Sequence, residues 1–190
     1  MLARLTALSI ALVLSTPIAL AQSPVAGLES ESLAAGPMLQ LQFLVGDYEI
    51  QDKSLDAEGN VVEESSDGRI SVRPGLDGNY LFLIGSSTDP TDTDKQLWLL
   101  TWHENNGYFV ATVFESDDPD SGRLSGTLDQ ETRTLTLTSE PFDLGEGRSF
   151  QFRLSITTNN DGTLSGTLER GLNGEWTTSG TSIWSRVKGQ

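Results

Sequence analysis

The chain contains no cysteine and only one histidine, His103, among its 190 residues. Without cysteine no disulfide can form, so stability must come from a hydrophobic core and from backbone hydrogen bonds. A structural zinc site needs several Cys or His ligands, which this composition cannot supply. The Gly-x-Ser-x-Gly motif of many serine hydrolases is also missing. The sequence therefore identifies no catalytic residue, no metal site and no cofactor.

Basic residues are scarce relative to acidic ones. The chain has 12 Lys and Arg residues against 27 Asp and Glu residues, which gives a formal net charge of −15. Such an acidic surface repels phosphate backbones and anionic lipid headgroups. We therefore exclude nucleic acid and anionic lipid as main partners. Many of the acids fall in turns, where they keep the chain soluble.

Long apolar runs are missing except at the N-terminus. Arg4 precedes an apolar stretch from Leu5 to Leu14, and the small-x-small pattern Ala19-Leu20-Ala21 follows it. This order is typical of a signal peptide that is cleaved before Gln22. The stretch is shorter than the roughly 20 residues that span a bilayer. We expect residues 1–21 to be removed, the mature protein to be periplasmic or secreted, and no membrane span to remain.

The mature chain begins with a segment of low bulk. Residues 22–37 are small and polar, which predicts a flexible N-terminal arm. Met38, Leu41 and Leu44 then recur at helical spacing and predict a short helix packed on one end of the domain. Residues 38–190 are predicted to form a single β-barrel domain.

Short segments of alternating apolar and polar residues, separated by turn signals, fill the rest of the chain. Their predicted bounds are 48–51, 61–73, 79–87, 96–103, 108–115, 123–129, 133–139, 149–158, 163–170 and 175–187. Sequential antiparallel strands with short turns form a meander, and closing it removes both exposed edges. The sequence therefore predicts an all-β fold, a single antiparallel up-and-down barrel of about ten strands.

The alternation also predicts which side chains face inward. Phe150, Phe152, Leu154 and Ile156 share one face of their strand. The pentapeptide Leu-Ser-Gly-Thr-Leu begins at Leu124 and again at Leu164, and each copy places a glycine between two inward leucines. An inward glycine leaves volume unfilled, which suits either a close backbone approach or room for a ligand.

Aromatic residues are the candidates for the walls of a pocket. A ten-stranded barrel is wider than an eight-stranded one, whose side chains nearly fill the interior, so some free volume is expected. Plain core filling is the alternative role for these rings. The predicted ligand-binding residues are Phe82, Trp98, Trp102, Phe109, Phe152, Trp176 and Trp184. Arg69 and Arg73 alternate with apolar neighbours and are expected to point outward.

The segment Leu41-Gln-Phe-Leu-Val-Gly-Asp-Tyr48 resembles the opening of a bacterial family, domain of unknown function 1579, which is lipocalin-like. The resemblance continues through Gly75-Leu-Asp-Gly-Asn-Tyr-Leu81 and the hairpin from Trp102 to Phe114. Gly46-x-Tyr48 is also similar to the Gly-x-Trp start of lipocalins and nitrobindin-like haem barrels. The resemblance implies a calycin-type barrel with an inner cavity, and it carries over no catalytic residue. Tyr48 replaces the tryptophan, so its hydroxyl needs a partner.

Three functions remain open on these grounds. The leading hypothesis is an exported barrel that binds a small apolar molecule without transforming it. The second is an isomerase- or lyase-type calycin enzyme with His103 or a buried acid as its base. The third is an interaction protein that forms a homodimer through the hairpin 97–114, because both faces of that hairpin are largely apolar.

Two acidic clusters could in principle offer oxygen ligands to calcium. One contains Asp89, Asp92 and Asp94, and the other contains Asp117, Asp118 and Asp120. Neither follows the spacing of an EF-hand loop with its glutamate at position twelve. Ordinary acidic turns are the favoured interpretation of both clusters.

Overall fold

The structure is a computed structural model that describes residues 28–64, 68–88, 95–116, 118 and 121–187. Within these residues it contains one 3₁₀ helix, Met38–Leu44, and twelve strands. The strands are β1 (Gly46–Leu55), β2 (Val61–Glu64), β3 (Gly68–Gly75), β4 (Tyr80–Ser87), β5 (Lys95–His103), β6 (Tyr108–Glu115), β7 (Gly122–Asp129), β8 (Thr134–Ser139), β9 (Phe142–Gly145), β10 (Arg148–Thr158), β11 (Leu164–Leu172) and β12 (Glu175–Arg186).

Ten of these strands close into one antiparallel barrel. Starting from β1, the hydrogen-bonded order is β1, β3, β4, β5, β6, β7, β8, β10, β11 and β12, and β12 returns to β1. The two remaining strands lie outside this ring: β2 pairs with β1, and β9 pairs with β10. The predicted all-β, up-and-down barrel of about ten strands with a short N-terminal helix is confirmed. No helix in the described parts of the chain is long and apolar enough to cross a membrane.

Two elements differ from the predicted strands. The single segment predicted at 61–73 consists of β2 and β3, which pair with β1 at different places along it. β9 was not predicted, because four residues are too few to display a two-residue period. Both differences concern strands that extend one end of the barrel.

The 3₁₀ helix closes the opposite end. Met38, Leu41, Phe43 and Leu44 are buried and belong to the same hydrophobic cluster as the inward side chains of the strands. The predicted helix is thus present and packs across one end of the barrel. Its apolar residues fill this end of the interior.

Tyr48 lies at the centre of this closed end and is fully buried. Its hydroxyl donates a hydrogen bond to the Phe43 carbonyl oxygen at 3.3 Å, which supplies the partner that a buried tyrosine needs. The ring meets Trp184 edge to face, with centroids 5.9 Å apart. Burial raises the pKa of Tyr48, and the positive charge of Arg186 partly offsets this effect.

Arg186, near the end of β12, connects the last strand to the first. Its guanidinium lies 5.0 Å from the centre of the Tyr48 ring and donates hydrogen bonds to the carbonyl oxygens of Val45 and Phe43, at 2.9 and 3.2 Å. Gly46 passes directly under this guanidinium with φ +151°, and any side chain there would overlap Arg186. Glycine is therefore required at the start of β1 for a steric as well as a conformational reason.

Part of the predicted arm lies against the turn between β3 and β4. The Ser30 N–H donates to the Pro74 carbonyl and the Ala34 N–H to the Gly78 carbonyl, at 2.8 and 2.9 Å. The Leu33 side chain between them is buried. The predicted signal peptide and the first residues of the arm lie outside the described residues.

We expect Gly46→Ala to lower the free energy of unfolding by about 3 kcal/mol, because a displaced Arg186 loses charge-assisted hydrogen bonds worth about 1.5–3 kcal/mol each. The matched control is Gly59→Ala, at a turn glycine with φ +84° and open surroundings. Its left-handed backbone strain alone should cost about 1–2 kcal/mol. Urea denaturation measures both values, and equal losses would contradict a specific role for the Arg186 contact.

Candidate ligand-binding cavity

The barrel is hollow at the end opposite the 3₁₀ helix. A cavity of about 830 Å³ opens there and is lined by side chains from all ten barrel strands. Small-molecule sites commonly have volumes of about 300–1,000 Å³. The space is therefore large enough for an organic molecule of moderate size.

Glycines on the inner face create much of this space. Five of them line the cavity: Gly68, Gly85, Gly122, Gly166 and Gly180. At Gly85 an added Cβ would meet only the Cβ of Gln96, at 3.8 Å, so the volume beside this glycine is open. Because a barrel of this width would otherwise be filled from its walls, inward glycines keep the upper part of the interior free.

The two copies of Leu-Ser-Gly-Thr-Leu use their glycines differently. Gly166 lines the cavity beside Ser182. Gly126 instead lies against the backbone of β8, where a side chain would overlap the carbonyl of Thr136. Gly166 makes room for the Ser182 side chain on the cavity wall, where an added Cβ would overlap the Ser182 hydroxyl, and Gly126 permits a close backbone approach. The sequence pattern alone left both roles open.

The wall of the cavity is mainly apolar. Its apolar side chains are Ile50, Ile70, Leu83, Trp98, Val113, Leu124, Phe152, Leu154, Ile156, Leu168 and Trp184. Ile70 faces inward, whereas Arg69 points outward and pairs with Glu49, as the alternation predicted, although Arg69 also borders the cavity. Arg73 also lies outside, where it pairs with Asp47 at 2.6 Å.

The seven predicted ligand-binding residues lie in three places. Trp98, Phe152 and Trp184 line the cavity. Trp102 and Phe109 pack edge to face, with centroids 4.9 Å apart, in the core towards the closed end. The remaining two lie on the outer face of the barrel. A ligand contact remains a prediction for the three residues of the cavity wall.

Phe82 lies outside because its neighbours Leu81 and Leu83 take the inward positions of β4. Its ring is nonetheless buried, and it packs over Gly75, where any side chain would overlap it. Phe82 thus stabilises the outer side of the β3–β4 pair. The outward position of Phe82 could therefore have been deduced from the alternation along β4.

Trp176 lies outside because of a β-bulge in β12. The pairing with β11 shifts by one residue at Ser179. Even-numbered residues of β12 therefore face outward before Ser179 and inward after it. Trp176 stacks on the Arg153 guanidinium at 4.1 Å, and Arg153 donates two hydrogen bonds to Glu169, at 2.6 and 2.8 Å. This group of three residues connects β10, β11 and β12 on the outer surface.

Several polar groups on the cavity wall have partners within the wall. The Trp184 Nε1–H donates to Ser182 Oγ at 2.9 Å. The Gln96 Nε2–H donates to Glu115 Oε1 at 3.0 Å, and the Trp98 Nε1–H donates to Gln96 Oε1 at 3.4 Å. These bonds satisfy polar atoms that face the cavity and fix the orientation of two tryptophans.

Asp52 is an inward residue that the sequence interpretation missed. It follows Tyr48 and Ile50 on the inner face of β1, a pattern from which its orientation could have been deduced. Asp52 makes no hydrogen bond or ion pair within the part of the chain that the structure describes. Partial burial by neighbouring protein atoms raises the pKa of the Asp52 carboxyl, while the residue as a whole stays exposed.

The mouth carries a second aromatic group that was not predicted. Phe142 of β9 lies over β10, with its ring centre 6.4 Å from those of Phe150 and Phe152. Phe142 is 51% exposed and also lines the cavity. Four basic residues also border the cavity, and of these Arg170 of β11 lies on an inward strand position; the others are Lys53, Arg69 and Arg123. The mouth therefore combines apolar and charged groups.

The candidate enzymatic base lies elsewhere. His103 ends β5 at the closed end of the barrel, on the outer face, and stacks on Tyr108 with centroids 5.5 Å apart. It is not among the residues that line the cavity. Of the two predicted acidic clusters, only Asp118 lies within the described residues. No group of three potential metal ligands occurs among the described residues.

We expect Glu169→Gln to lower the free energy of unfolding by about 1–2 kcal/mol at pH 7, since it breaks a charge-assisted pair. The hydrogen bonds from Arg153 hold the pKa of Glu169 below its usual value. The stabilisation is thus complete above the unfolded pKa of about 4.3 and disappears as the pH falls through the lower folded pKa. The difference between the two proteins should therefore shrink below about pH 4.

Urea denaturation from pH 7 to pH 3 measures this difference. The control is Glu49→Gln, which removes an exposed partner 3.5 Å from Arg69 and should change stability little at any pH. A pH-independent loss for Glu169→Gln would contradict the ion-pair explanation.

A sequence profile described as "Protein of unknown function (DUF1579)" matches residues 37–186. This range includes the 3₁₀ helix and all twelve strands. No curated protein gives a significant match to the sequence.

Proposed function

The chain belongs to the DUF1579 family, whose function is unknown, and from its cavity we propose that it binds a small apolar molecule without transforming it. The observation that carries this proposal is the hollow end of the barrel, about 830 Å³ with a mainly apolar wall. Burial of apolar surface supplies about 25 cal/mol per Å². An apolar ligand of moderate size could therefore bind through the wall alone.

The distribution of residue size along the barrel supports this proposal. At the closed end, Tyr48, Trp102 and Phe109 fill the interior with rings. Towards the mouth, inward positions are taken by glycines such as Gly85 and Gly122. A barrel selected for stability alone would gain from larger side chains at these positions, because protein interiors are normally close-packed. Retained free volume is consistent with occupation by a ligand.

The position of His103 favours binding over catalysis. The enzymatic alternative needs a base within hydrogen-bond reach of the substrate. His103 lies on the outer face at the closed end, away from the cavity. This position argues against His103 as a catalytic base and leaves Asp52, the inward acid of β1, as the candidate base of the enzymatic alternative.

The N-terminal sequence supports a location outside the cytoplasm. The predicted signal peptide would direct the barrel to the periplasm or the medium. An apolar molecule is poorly soluble in both, so a protein that shields it from water could carry it. We propose this role of an exported carrier for the protein.

The proposal is tested by titrating the purified barrel with N-phenyl-1-naphthylamine, a neutral apolar dye whose fluorescence rises in apolar surroundings. We expect saturable binding with about one dye per barrel. Gly85→Leu should weaken it at least about tenfold, that is by 1.4 kcal/mol or more, because the leucine occupies the open volume beside Gln96.

The control is Gln51→Leu, which adds a leucine to the exposed outer face of β1. It should leave dye binding unchanged, and both variants should keep the circular dichroism spectrum of the wild-type protein. Absence of saturable binding, or equal binding by Gly85→Leu and the wild type, would contradict a ligand-binding cavity.

A further inference from the structure

Asp52 occupies a defined place in the cavity wall. It lies opposite Ser182 in the β1–β12 pair, and Ser182 lies opposite Gly166 in the β12–β11 pair. Ser182 faces inward, because its hydroxyl accepts the Trp184 Nε1–H bond and Trp184 lines the cavity. Register therefore places the Asp52 carboxylate on the same inner surface, beyond Ile50 on the way to the mouth.

The carboxylate is unpaired in a wall whose neighbouring polar groups have partners. Ser182 is bonded to Trp184, and Glu115, an acid on an inward position of β6, accepts a bond from Gln96. Asp52 has no hydrogen bond or ion pair with any residue that the structure describes. Asp52 is exposed to the cavity, and an unpaired carboxylate beside an apolar wall offers an attachment point for an opposite charge or a hydrogen-bond donor.

We infer that the ligand is an amphipathic amine, whose ammonium group pairs with Asp52 while its apolar body lies against the wall below. This inference rests on the proposed function and specifies the ligand class for the same cavity. Ile50 and Trp184 lie next to Asp52 on the side of the closed end and would contact the apolar body. The ammonium would supply the pairing charge that none of the lining basic residues, Lys53, Arg69, Arg123 and Arg170, gives to Asp52 in the described parts of the chain.

Arg170 is the main competitor for a charged headgroup. It lies on β11 four residues nearer the mouth than Gly166, which shares a register row with Asp52. It is exposed, and it makes no ion pair with Asp52. An anionic headgroup would bind there, in contact with water, so the two sites predict opposite charge preferences. Both residues are exposed. Asp52 is the better anchor, because it lies next to Ile50 and Trp184, whose apolar side chains would hold the body of the ligand at the same time.

Three ligands with the same ten-carbon chain separate these possibilities: decylamine, decanol and decanoate. Each is used to displace N-phenyl-1-naphthylamine from the full barrel at pH 7. For the wild type we expect decylamine to bind at least about tenfold more tightly than decanol, since charge-assisted hydrogen bonds are roughly twice as strong as neutral ones. Decanoate should bind most weakly.

Asp52→Asn keeps the size of the side chain and removes its charge. It should reduce decylamine affinity about tenfold and leave decanol affinity within about twofold. Glu49→Gln removes the same charge from the outer face of the same strand and should leave the preference for the amine intact. Dye binding by each variant verifies that the cavity has formed.

The results separate this inference from the proposed function. If the dye binds but decylamine binds no better than decanol, the inference is overturned and the proposed function stands. A preference for decanoate would identify Arg170 as the anchor and also overturn it. Equal losses of decylamine affinity in Asp52→Asn and Glu115→Gln would show that the overall negative charge of the cavity causes the preference. This result would also overturn a specific pair with Asp52. If neither the dye nor any decyl compound binds, both proposals fail.

Discussion

Pairing of the last strand with the first is the constraint on which the rest of this structure depends. β12 lies between β11 and β1, and Arg186 extends the connection to the carbonyl groups before Gly46. Closure gives every barrel strand two neighbours, so backbone hydrogen bonds are satisfied without an exposed edge. In a chain without cysteine, this closed network and the core beneath it must provide the stability that a disulfide would otherwise supply.

Closure also separates an inside from an outside, and the inside varies in character along the barrel. Near the 3₁₀ helix, Tyr48 and its aromatic neighbours pack as a solid core. Towards the mouth, glycines occupy several inward positions between the rings, Asp52 has no partner among the described residues, and the same ten strands enclose a cavity. The solid end fixes the barrel, and the hollow end is therefore free to serve a ligand. The packed core and the proposed binding site thus lie at opposite ends of a single sheet.

Much of the fold followed from the two-residue period. The ten barrel strands, the inward faces of β7, β10 and β11, and the outward Arg69 and Arg73 all agree with simple alternation. The placement of Trp176 did not follow, because a bulge at Ser179 reverses the faces of β12 and leaves no clear local signal. Asp52 could have been found, since alternation from Tyr48 points it inward. The predicted cavity wall contained only aromatic residues and therefore omitted Asp52.

The sequence by itself determined the strand order, the short helix at one end and the family, because periodicity, turn residues and local motifs are properties of neighbouring positions. Only the tertiary structure decided that Gly166 lies against the Ser182 side chain on the cavity wall while Gly126 lies against a backbone, although both lie in copies of the same pentapeptide. It also decided that Asp52 stands without a partner among the described residues. These facts depend on the distance between strands that are far apart in the chain, and that distance is fixed only when the barrel closes.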